Sequence, residues 1–296
     1  FGGKCGFHFE AHVAALARVA RRPVCLVFSR REEFVAPDRR REGIVFEFET
    51  GVMRDGTIVG RRVWLAVDNG AYTADSGFFA QMAAMHALGP YQIPNVRAEA
   101  HLVYTNHQPS GSVRAPTAPQ ACWALESHTD EVAAAVGMDP VEFRLKNASH
   151  EGTLQVGGPR FKRVGAIEVL EQTKATAHWN SPLGTPRPGH KRGRGLAIGF
   201  WFNIGLESSV SISVNANGAV TLIEGSTDIG GSRASISMQA AEILGIRVED
   251  VRPNVVDTDS IGYTGVTGGS RTTFATGIAA IEAAKSVITQ MKARAA

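Results

Sequence analysis

The sequence predicts an α+β fold built from two domains, and three observations lead to that prediction. The chain has 296 residues, more than a single hydrophobic core usually organises. Segments typical of strands and of helices are mixed along the chain, without the regular alternation that a doubly wound parallel sheet requires. A proline- and glycine-rich stretch at residues 178–195 separates two such sets of segments. We therefore expect a first domain over residues 1–177, a linker over 178–195 and a second domain over 196–296.

The first domain is predicted to begin with a helix and to continue with strands. Residues 10–22 are rich in alanine and end in arginine, which favours a helix with cations at its negative end. Pro23 ends that helix, and the apolar run over residues 24–28 is predicted to be a strand. Asp55-Gly56 lies between two β-rich runs, which is typical of a hairpin. The remaining strands are expected at residues 43–52, 58–68 and 96–105, and the later helices at 118–136 and from Pro140 onward.

The second domain is predicted to start with strands and to end with a long helix. Gly245 is suited to end a helix over residues 233–244, because glycine readily adopts the left-handed conformation found at helix ends. A final helix is expected over residues 272–293. The strands of this domain are expected at residues 196–203, 207–214, 218–224 and 251–256.

Composition excludes several classes of protein. The hydrophobic fraction of 44% and the charged fraction of 20% are ordinary for a globular protein, and no run approaches the ~20 apolar residues that span a bilayer. The formal charge of +3 is too small to indicate nucleic acid, so we expect neither a nucleic-acid nor a membrane partner. The three cysteines form no C-x-x-C pair, which argues against a zinc or iron–sulfur site on this chain and indicates a reducing, cytoplasmic location.

Three glycine-rich loops of similar build recur along the chain. Two of them run directly into predicted helices, where exposed N–H groups and the helix dipole favour an anion. Arg233 and Arg271 stand at these helix starts, an unfavourable place for a cation unless an anionic ligand lies nearby. Tight turns with surface arginines are the alternative interpretation. The loops are Phe1-Gly2-Gly3-Lys4, Ile229-Gly230-Gly231-Ser232 and Thr267-Gly268-Gly269-Ser270.

A further candidate is Arg114, which lies in a loop with glycine and proline just before a long predicted helix. Two interpretations stay open for its side chain. It could pair with Glu126 or Asp130, or it could face a ligand, since a guanidinium binds anionic and oxo groups through several donors.

Several short motifs follow one another in a fixed order along the whole chain. They include Phe1-Gly2-Gly3-Lys4, Gly70-Ala71-Tyr72, Gly89-Pro90-Tyr91, Val113-Arg114-Ala115-Pro116, Gly137-Met138-Asp139-Pro140, Asp257-Thr258-Asp259 and Gly268-Gly269-Ser270-Arg271-Thr272-Thr273. In this order they resemble the molybdenum-binding large subunit of the xanthine dehydrogenase and aldehyde oxidase family, the molybdenum hydroxylases. The resemblance implies two mixed-sheet domains of the molybdopterin-binding type, each incomplete here.

The resemblance also implies a cofactor and a reaction. The cofactor is molybdenum–molybdopterin, including its cytosine dinucleotide form, and the intact protein is expected to hydroxylate an aldehyde or an aromatic N-heterocycle with oxygen from water. Arg114 would line the cofactor and substrate cleft, Cys5 would reach the substrate pocket, and no residue of this chain would bind the metal. The residues implied to bind the cofactor are Phe1, Gly2, Gly3, Arg114, Ile229, Gly230, Gly231, Gly269, Ser270, Arg271 and Thr272.

The chain also departs from the family pattern. Xanthine enzymes have a glutamate where Cys5 stands and an arginine near Met82, so these positions argue against a purine substrate. Gly231 replaces a glutamine of the pterin loop. The family's catalytic glutamate is expected beyond Ala296, and iron–sulfur and FAD domains or subunits are the expected partners. The isolated chain is therefore expected to be inactive and to lack tightly held cofactor. The alternatives are an inactive scaffold of the same fold or a nucleotide-binding module.

Overall fold

The computed structural model describes residues 9–35, 40–155, 157–203 and 205–296, which divide into two compact units. The first unit runs to Trp201 and the second runs from Phe202 to Ala296. The strands of the first unit are β1 (Ile44–Val52), β2 (Ile58–Gly70) and β3 (Val96–Tyr104). Its helices are α1 (Glu10–Ala20), α2 (Glu32–Val35), α3 (Phe79–Leu88), α4 (Ala118–Ala135), α5 (Pro140–Asn147), α6 (Ala166–Ala175) and α7 (Ala177–Asn180). The second unit contains β4 (Val210–Val214), β5 (Val220–Glu224), α8 (Ser232–Leu244), β6 (Val251–Val255) and α9 (Gly277–Ala295).

The first unit is organised around a three-stranded sheet in the order β1-β2-β3. β1 and β2 form the predicted antiparallel hairpin, in which Gly56 has a φ of +85° and Asp55 Oδ1 accepts a hydrogen bond from Thr57 N at 3.0 Å. β3 lies parallel to β2, and α3 makes the crossover that a parallel pair requires. Side chains that point from β2 toward the helices, such as Leu65, are fully buried against α3 residues such as Phe79.

The second unit repeats this order of elements. β4 and β5 are antiparallel, α8 crosses over, β6 lies parallel to β5, and α9 follows. Leu222 of β5, Ile236 of α8 and Ala280 of α9 form its buried core. Because β5 and β6 are parallel, the loops that follow them leave the sheet at the same edge. The mixed sheets of both units confirm the predicted α+β fold class.

Two predicted strands are wrong. The run over residues 24–28 is not a strand, and Cys25 within it is exposed. Residues 196–203 are not a strand either. The backbone of this segment forms hydrogen bonds with side chains of α4. Ile198 N donates to Glu126 Oε2 at 2.8 Å, and Cys122 Sγ donates to Ile198 O at 3.4 Å. The N–H and C=O groups of Ile198 are therefore satisfied by side chains and not by a neighbouring strand.

Four helices are absent from the prediction: α2, α3, α6 and α7. α3 (Phe79–Leu88) carries apolar residues on most of its circumference, and six of its ten residues are buried. A helix that is apolar all round shows no 3.6-residue alternation, so the sequence pattern gives no clear signal.

Candidate functional site

The second unit contains a cleft of about 290 Å³. Its walls come from the loop that leads into α8 and from the loop that leads toward α9. Two glycine loops that are almost forty residues apart in sequence therefore face the same space. The lining residues are Ile229, Gly230, Gly231, Ser232, Ser235, Thr267, Gly268, Ser270, Arg271, Thr272 and Thr273.

The wall leading into α8 is organised by Asp228. Its Oδ1 accepts hydrogen bonds from Gly230 N at 2.9 Å and from Ser232 N at 3.2 Å. Its Oδ2 accepts from Arg233 Nε at 2.8 Å. These donors, first the Arg233 side chain and then the loop amides, hold the pKa of Asp228 well below its ordinary value. The carboxylate is thus ionised and occupies the start of α8.

Glycine is required twice in this wall. Gly230 has a φ of +130° and Gly231 a φ of +86°, conformations that other residues adopt only with strain. A Cβ atom at either position would meet no protein atom within 4 Å. The backbone conformation and the ligand space beside it, rather than protein packing, therefore explain the glycine pair.

The wall leading toward α9 contains an irregular helical turn. Residues Thr272–Thr276 form a single π-turn before α9, a feature that is frequent at functional sites. The carbonyl oxygen of Thr273 accepts a hydrogen bond from Gln239 Nε2 of α8 at 3.2 Å. Ser270 has a φ of +58°, and its carbonyl accepts from Asn203 Nδ2 at 2.6 Å. The strained backbone is held in place by these side-chain amides.

Arg271 supports this wall from behind. Its side chain is completely buried. Nη1 donates to Gly265 O at 2.9 Å, while Nη2 donates to Glu207 O and to Ser208 Oγ, both at 2.6 Å. The guanidinium also donates to the carbonyl of Gly205. Its donors are thus committed to the chain's own oxygens, and Arg271 shapes the cleft instead of neutralising an anion with its side chain.

A buried polar chain continues from Arg271 toward the end of β5. Thr276 Oγ1 lies 2.9 Å from Ser208 Oγ and 2.8 Å from Ser226 Oγ, and Ser226 N donates to Glu224 Oε2 at 2.6 Å. Burial raises the pKa of the Glu224 carboxyl. This network fixes the π-turn against the sheet.

Arg114 lies in the first unit, in a loop with strained backbone. Arg114, Ala115 and Thr117 all have positive φ angles, of +20°, +49° and +63°. Arg41 Nη2 donates to Arg114 O at 2.7 Å, and the buried carboxylate of Glu42 accepts from Thr117 N. The side chains of the segment before β1 therefore hold the loop in a conformation that it would not adopt alone.

The carboxylates suggested as partners of Arg114 are bound by another arginine. Arg144 Nε donates to Glu126 Oε2 at 2.8 Å, and Arg144 Nη1 donates to Asp130 Oδ1 at 2.7 Å. Tyr91 Oη donates to the other oxygen of Glu126 at 2.6 Å. This buried network joins α4 to α5.

The structure brings together part of the predicted site. Ile229, Gly230, Gly231, Ser270, Arg271 and Thr272 line the cleft, and Gly269 lies between two lining residues. Phe1, Gly2, Gly3 and Cys5 lie outside the described residues. The lining residues that were not among the predicted cofactor-binding residues are Ser232, Ser235, Thr267, Gly268 and Thr273. Asp228, which bonds to Gly230 and Ser232 of one wall, was not predicted either. An aspartate before a glycine pair is typical of an Asx turn, in which the carboxylate accepts from the amide two residues on, and this signal would have indicated Asp228.

Two kinds of feature are absent from the described part of the chain. No group of three or more His, Cys, Asp and Glu side chains there could hold a metal ion. No helix there is long and apolar enough to cross a membrane.

Comparison with known proteins identifies the family. The sequence matches two families that share the description "Molybdopterin cofactor-binding domain", one over residues 1–148 and the other over residues 163–296. The chain belongs to the molybdopterin cofactor-binding domain family. The family that the sequence motifs predicted is therefore confirmed.

Individual members of the family show the extent of the similarity. The chain is 36% identical to the nicotinate dehydrogenase large molybdopterin subunit of Eubacterium barkeri over 60% of the chain and 42% of that protein. It is 32% identical to the xanthine dehydrogenase molybdenum-binding subunit of Escherichia coli over 80% of the chain and 33% of that protein. The aldehyde oxidoreductase of Desulfovibrio gigas superposes with a TM-score of 0.84 and 26% identity, over 97% of the chain and 32% of that structure. The chain thus spans less than half the length of these relatives.

Proposed function

We propose that this chain forms the pterin-binding part of the molybdenum-containing subunit of an oxidoreductase. The reaction proposed for the whole protein is hydroxylation of an aldehyde or an aromatic N-heterocycle with oxygen derived from water. The observation that carries the proposal is the cleft of the second unit, where the Gly230 and Ser270 loops face one space. Membership of the molybdopterin cofactor-binding domain family gives that cleft its expected ligand.

The residues of the cleft suit a pterin with a phosphate tail. Backbone groups and hydroxyls such as those of Thr267 and Thr272 line it, and Arg271, the one charged residue among the described lining residues, has its donors committed to the protein. Neutral donors and acceptors of this kind match the polar edge of a pterin and the oxygens of a phosphate. When bound, the molybdenum cofactor supplies the two-electron oxidation of the substrate. The cleft's own contribution is to hold and orient that group.

The remaining members of the predicted site belong to this proposal. Arg114 and the loop of Phe1, Gly2 and Gly3 are proposed to contact the cofactor, and Cys5 is proposed to reach the substrate. The domain limits of 1–177 and 196–296, the cytosine dinucleotide form, the iron–sulfur and FAD partners and the cytoplasmic location are proposed with them.

The substrate class is proposed because the chain departs from the pattern of xanthine enzymes at Met82 and Cys5. Met82 is only 8% exposed within α3, so it packs in the interior and offers no charge to a purine. Cys5 stands where xanthine enzymes have a glutamate. Relatives named for nicotinate, for aldehydes and for xanthine all match the chain, so the choice of substrate class rests on the two departures and not on the relatives.

The test uses the longest natural polypeptide that contains this chain, expressed with cofactor maturation proteins. Molybdenum is measured by mass spectrometry, and pterin by the fluorescence of its oxidised form. We expect both in near-stoichiometric amounts in the unaltered protein and a strong loss in Gly231→Val. Gly218→Val is the matched control, because Gly218 also has a positive φ and open space around its Cβ but lies in the β4–β5 turn.

Other results would favour the alternatives. A protein that never contains molybdenum or pterin under these conditions would be an inactive scaffold. Thermal stabilisation by a simple nucleotide, without pterin, would indicate a nucleotide-binding module. Turnover by the isolated 296-residue chain would contradict the proposal that it is one part of the catalytic machinery.

A further inference from the structure

Asp228 holds four hydrogen-bond donors of the wall that leads into α8. Besides the amides of Gly230 and Ser232 and the guanidinium of Arg233, its Oδ1 accepts from Ser232 Oγ at 3.1 Å. The Asp228 side chain is 17% exposed, whereas the Arg233 side chain is 51% exposed. The carboxylate therefore lies inside the loop and the arginine covers it from the solvent side.

This arrangement changes the electrostatics of the helix start. The first amides of a helix and its dipole attract a negative charge, and here the chain's own carboxylate supplies one. A phosphate placed against Gly230 N and Ser232 N would compete with Asp228 for the same donors. It would also stand beside a like charge, which is unfavourable.

We propose that Asp228 is a positioning residue with two effects on the cleft. It holds Gly230 and Gly231 in their left-handed conformations, and it excludes the anionic group of a ligand from the start of α8. The bound cofactor therefore contacts the glycine backbone of this wall, and its phosphate is bound at another place. The inference rests on the proposed function, because that function supplies the ligand.

The Asp228–Arg233 pair also accounts for the arginine at the helix start. A cation at this position opposes the helix dipole and is unfavourable by itself. Its Nε donates to Asp228 Oδ2, so the pair adds no net charge to the first turn. The arginine is therefore the partner of an internal anion, and no external anion is needed to explain it.

The experiment uses inorganic pyrophosphate as the probe and the isotope-labelled 296-residue chain as the protein. Backbone amide resonances of Gly230 and Ser232 are followed by NMR during the titration. In the unaltered chain we expect these resonances to stay in place at millimolar pyrophosphate. In Asp228→Asn, which keeps the shape but removes the charge, we expect them to shift, with pyrophosphate bound about tenfold more tightly.

Two further variants keep the result interpretable. Asp257→Asn is the matched control, since Asp257 also accepts backbone and hydroxyl hydrogen bonds in a loop of the second unit, but its donors, Asp259 and Ser260, do not line the cleft. It should bind pyrophosphate as the unaltered chain does. Arg233→Gln leaves the Asp228 carboxylate in place, so the Gly230 and Ser232 resonances should again not respond.

Hydrogen exchange tests the positioning effect. Exchange of the Gly230 and Ser232 amides should be at least about tenfold faster in Asp228→Asn than in Asp257→Asn, because weaker acceptors hold them. Pyrophosphate shifts at these amides in the unaltered chain, or equal affinity and exchange in Asp228→Asn, would overturn the proposal. The assay contains no molybdenum or pterin, so its failure is distinguishable from failure of the proposed function.

Discussion

Replacing Arg271 with lysine tests whether this side chain supports the cleft wall through its shape or only through its charge. The guanidinium donates from three nitrogens toward Gly205, Gly265, Glu207 and Ser208. Lysine keeps the charge but has a single side-chain nitrogen, which cannot donate to all the acceptors that the three guanidinium nitrogens reach. We expect at least two of these bonds to be lost.

The expected magnitude follows from the bonds lost. A hydrogen bond from a charged group contributes about 1.5 kcal/mol or more to stability, and each buried carbonyl left without a donor adds to the loss. Arg271→Lys should therefore lower the free energy of unfolding of the second unit by about 3 kcal/mol. Arg247→Lys is the control. The Arg247 side chain is 79% exposed and pairs with the exposed Glu249, so the control should change stability by less than about 0.5 kcal/mol.

The assay must report the second unit by itself. The second unit contains no tryptophan, so tryptophan fluorescence reports only the first. Hydrogen exchange of peptides over residues 263–276, measured by mass spectrometry in increasing urea, gives the opening free energy of the cleft wall. A difference of less than about 1 kcal/mol between Arg271→Lys and Arg247→Lys would refute the argument. Tryptophan fluorescence, which reports the first unit, should give the same urea transition in Arg271→Lys as in the unaltered chain. The four tryptophans are Trp64, Trp123, Trp179 and Trp201.

Three further predictions concern glycine, a buried hydroxyl and pH. Gly231→Ala should destabilise the second unit by about 1 kcal/mol, because Gly231 has a φ of +86°. Gly193→Ala, at an exposed glycine with no positive φ, should cause no loss of stability. Urea unfolding followed by circular dichroism compares the two variants. Tyr91→Phe should cost about 2 kcal/mol, since it removes the 2.6 Å hydrogen bond to buried Glu126, and an unchanged tryptophan-monitored urea midpoint would contradict this. Burial lowers the pKa of His86 from 6.5 to about 4, so the unfolded chain binds this proton more readily than the folded one. The first unit should therefore lose about 2 kcal/mol of stability between pH 7 and pH 5, and His86→Leu should remove that part of the pH slope.

The sequence predicted those elements whose signals are local. The Asp55-Gly56 hairpin was correct because turn residues determine it within a few positions, and α8 ends at Gly245 in the predicted left-handed conformation. The strand over residues 196–203 was wrong because its backbone bonds to Glu126 and Cys122, more than seventy residues earlier in the chain. No local pattern contains such a partner.

The candidate site divides in the same way. The sequence alone determined the family and the glycine loops around Gly230 and Ser270, because a left-handed backbone demands glycine wherever the loop lies in space. Only the tertiary structure decided that the two loops share one cleft, that Asp228 takes the helix start of α8, and that Arg271 turns inward to carbonyl groups from residue 205 onward. A charged side chain bonds to whichever donors or acceptors packing brings within about 3 Å, and that choice is made by the fold and not by its neighbours in sequence.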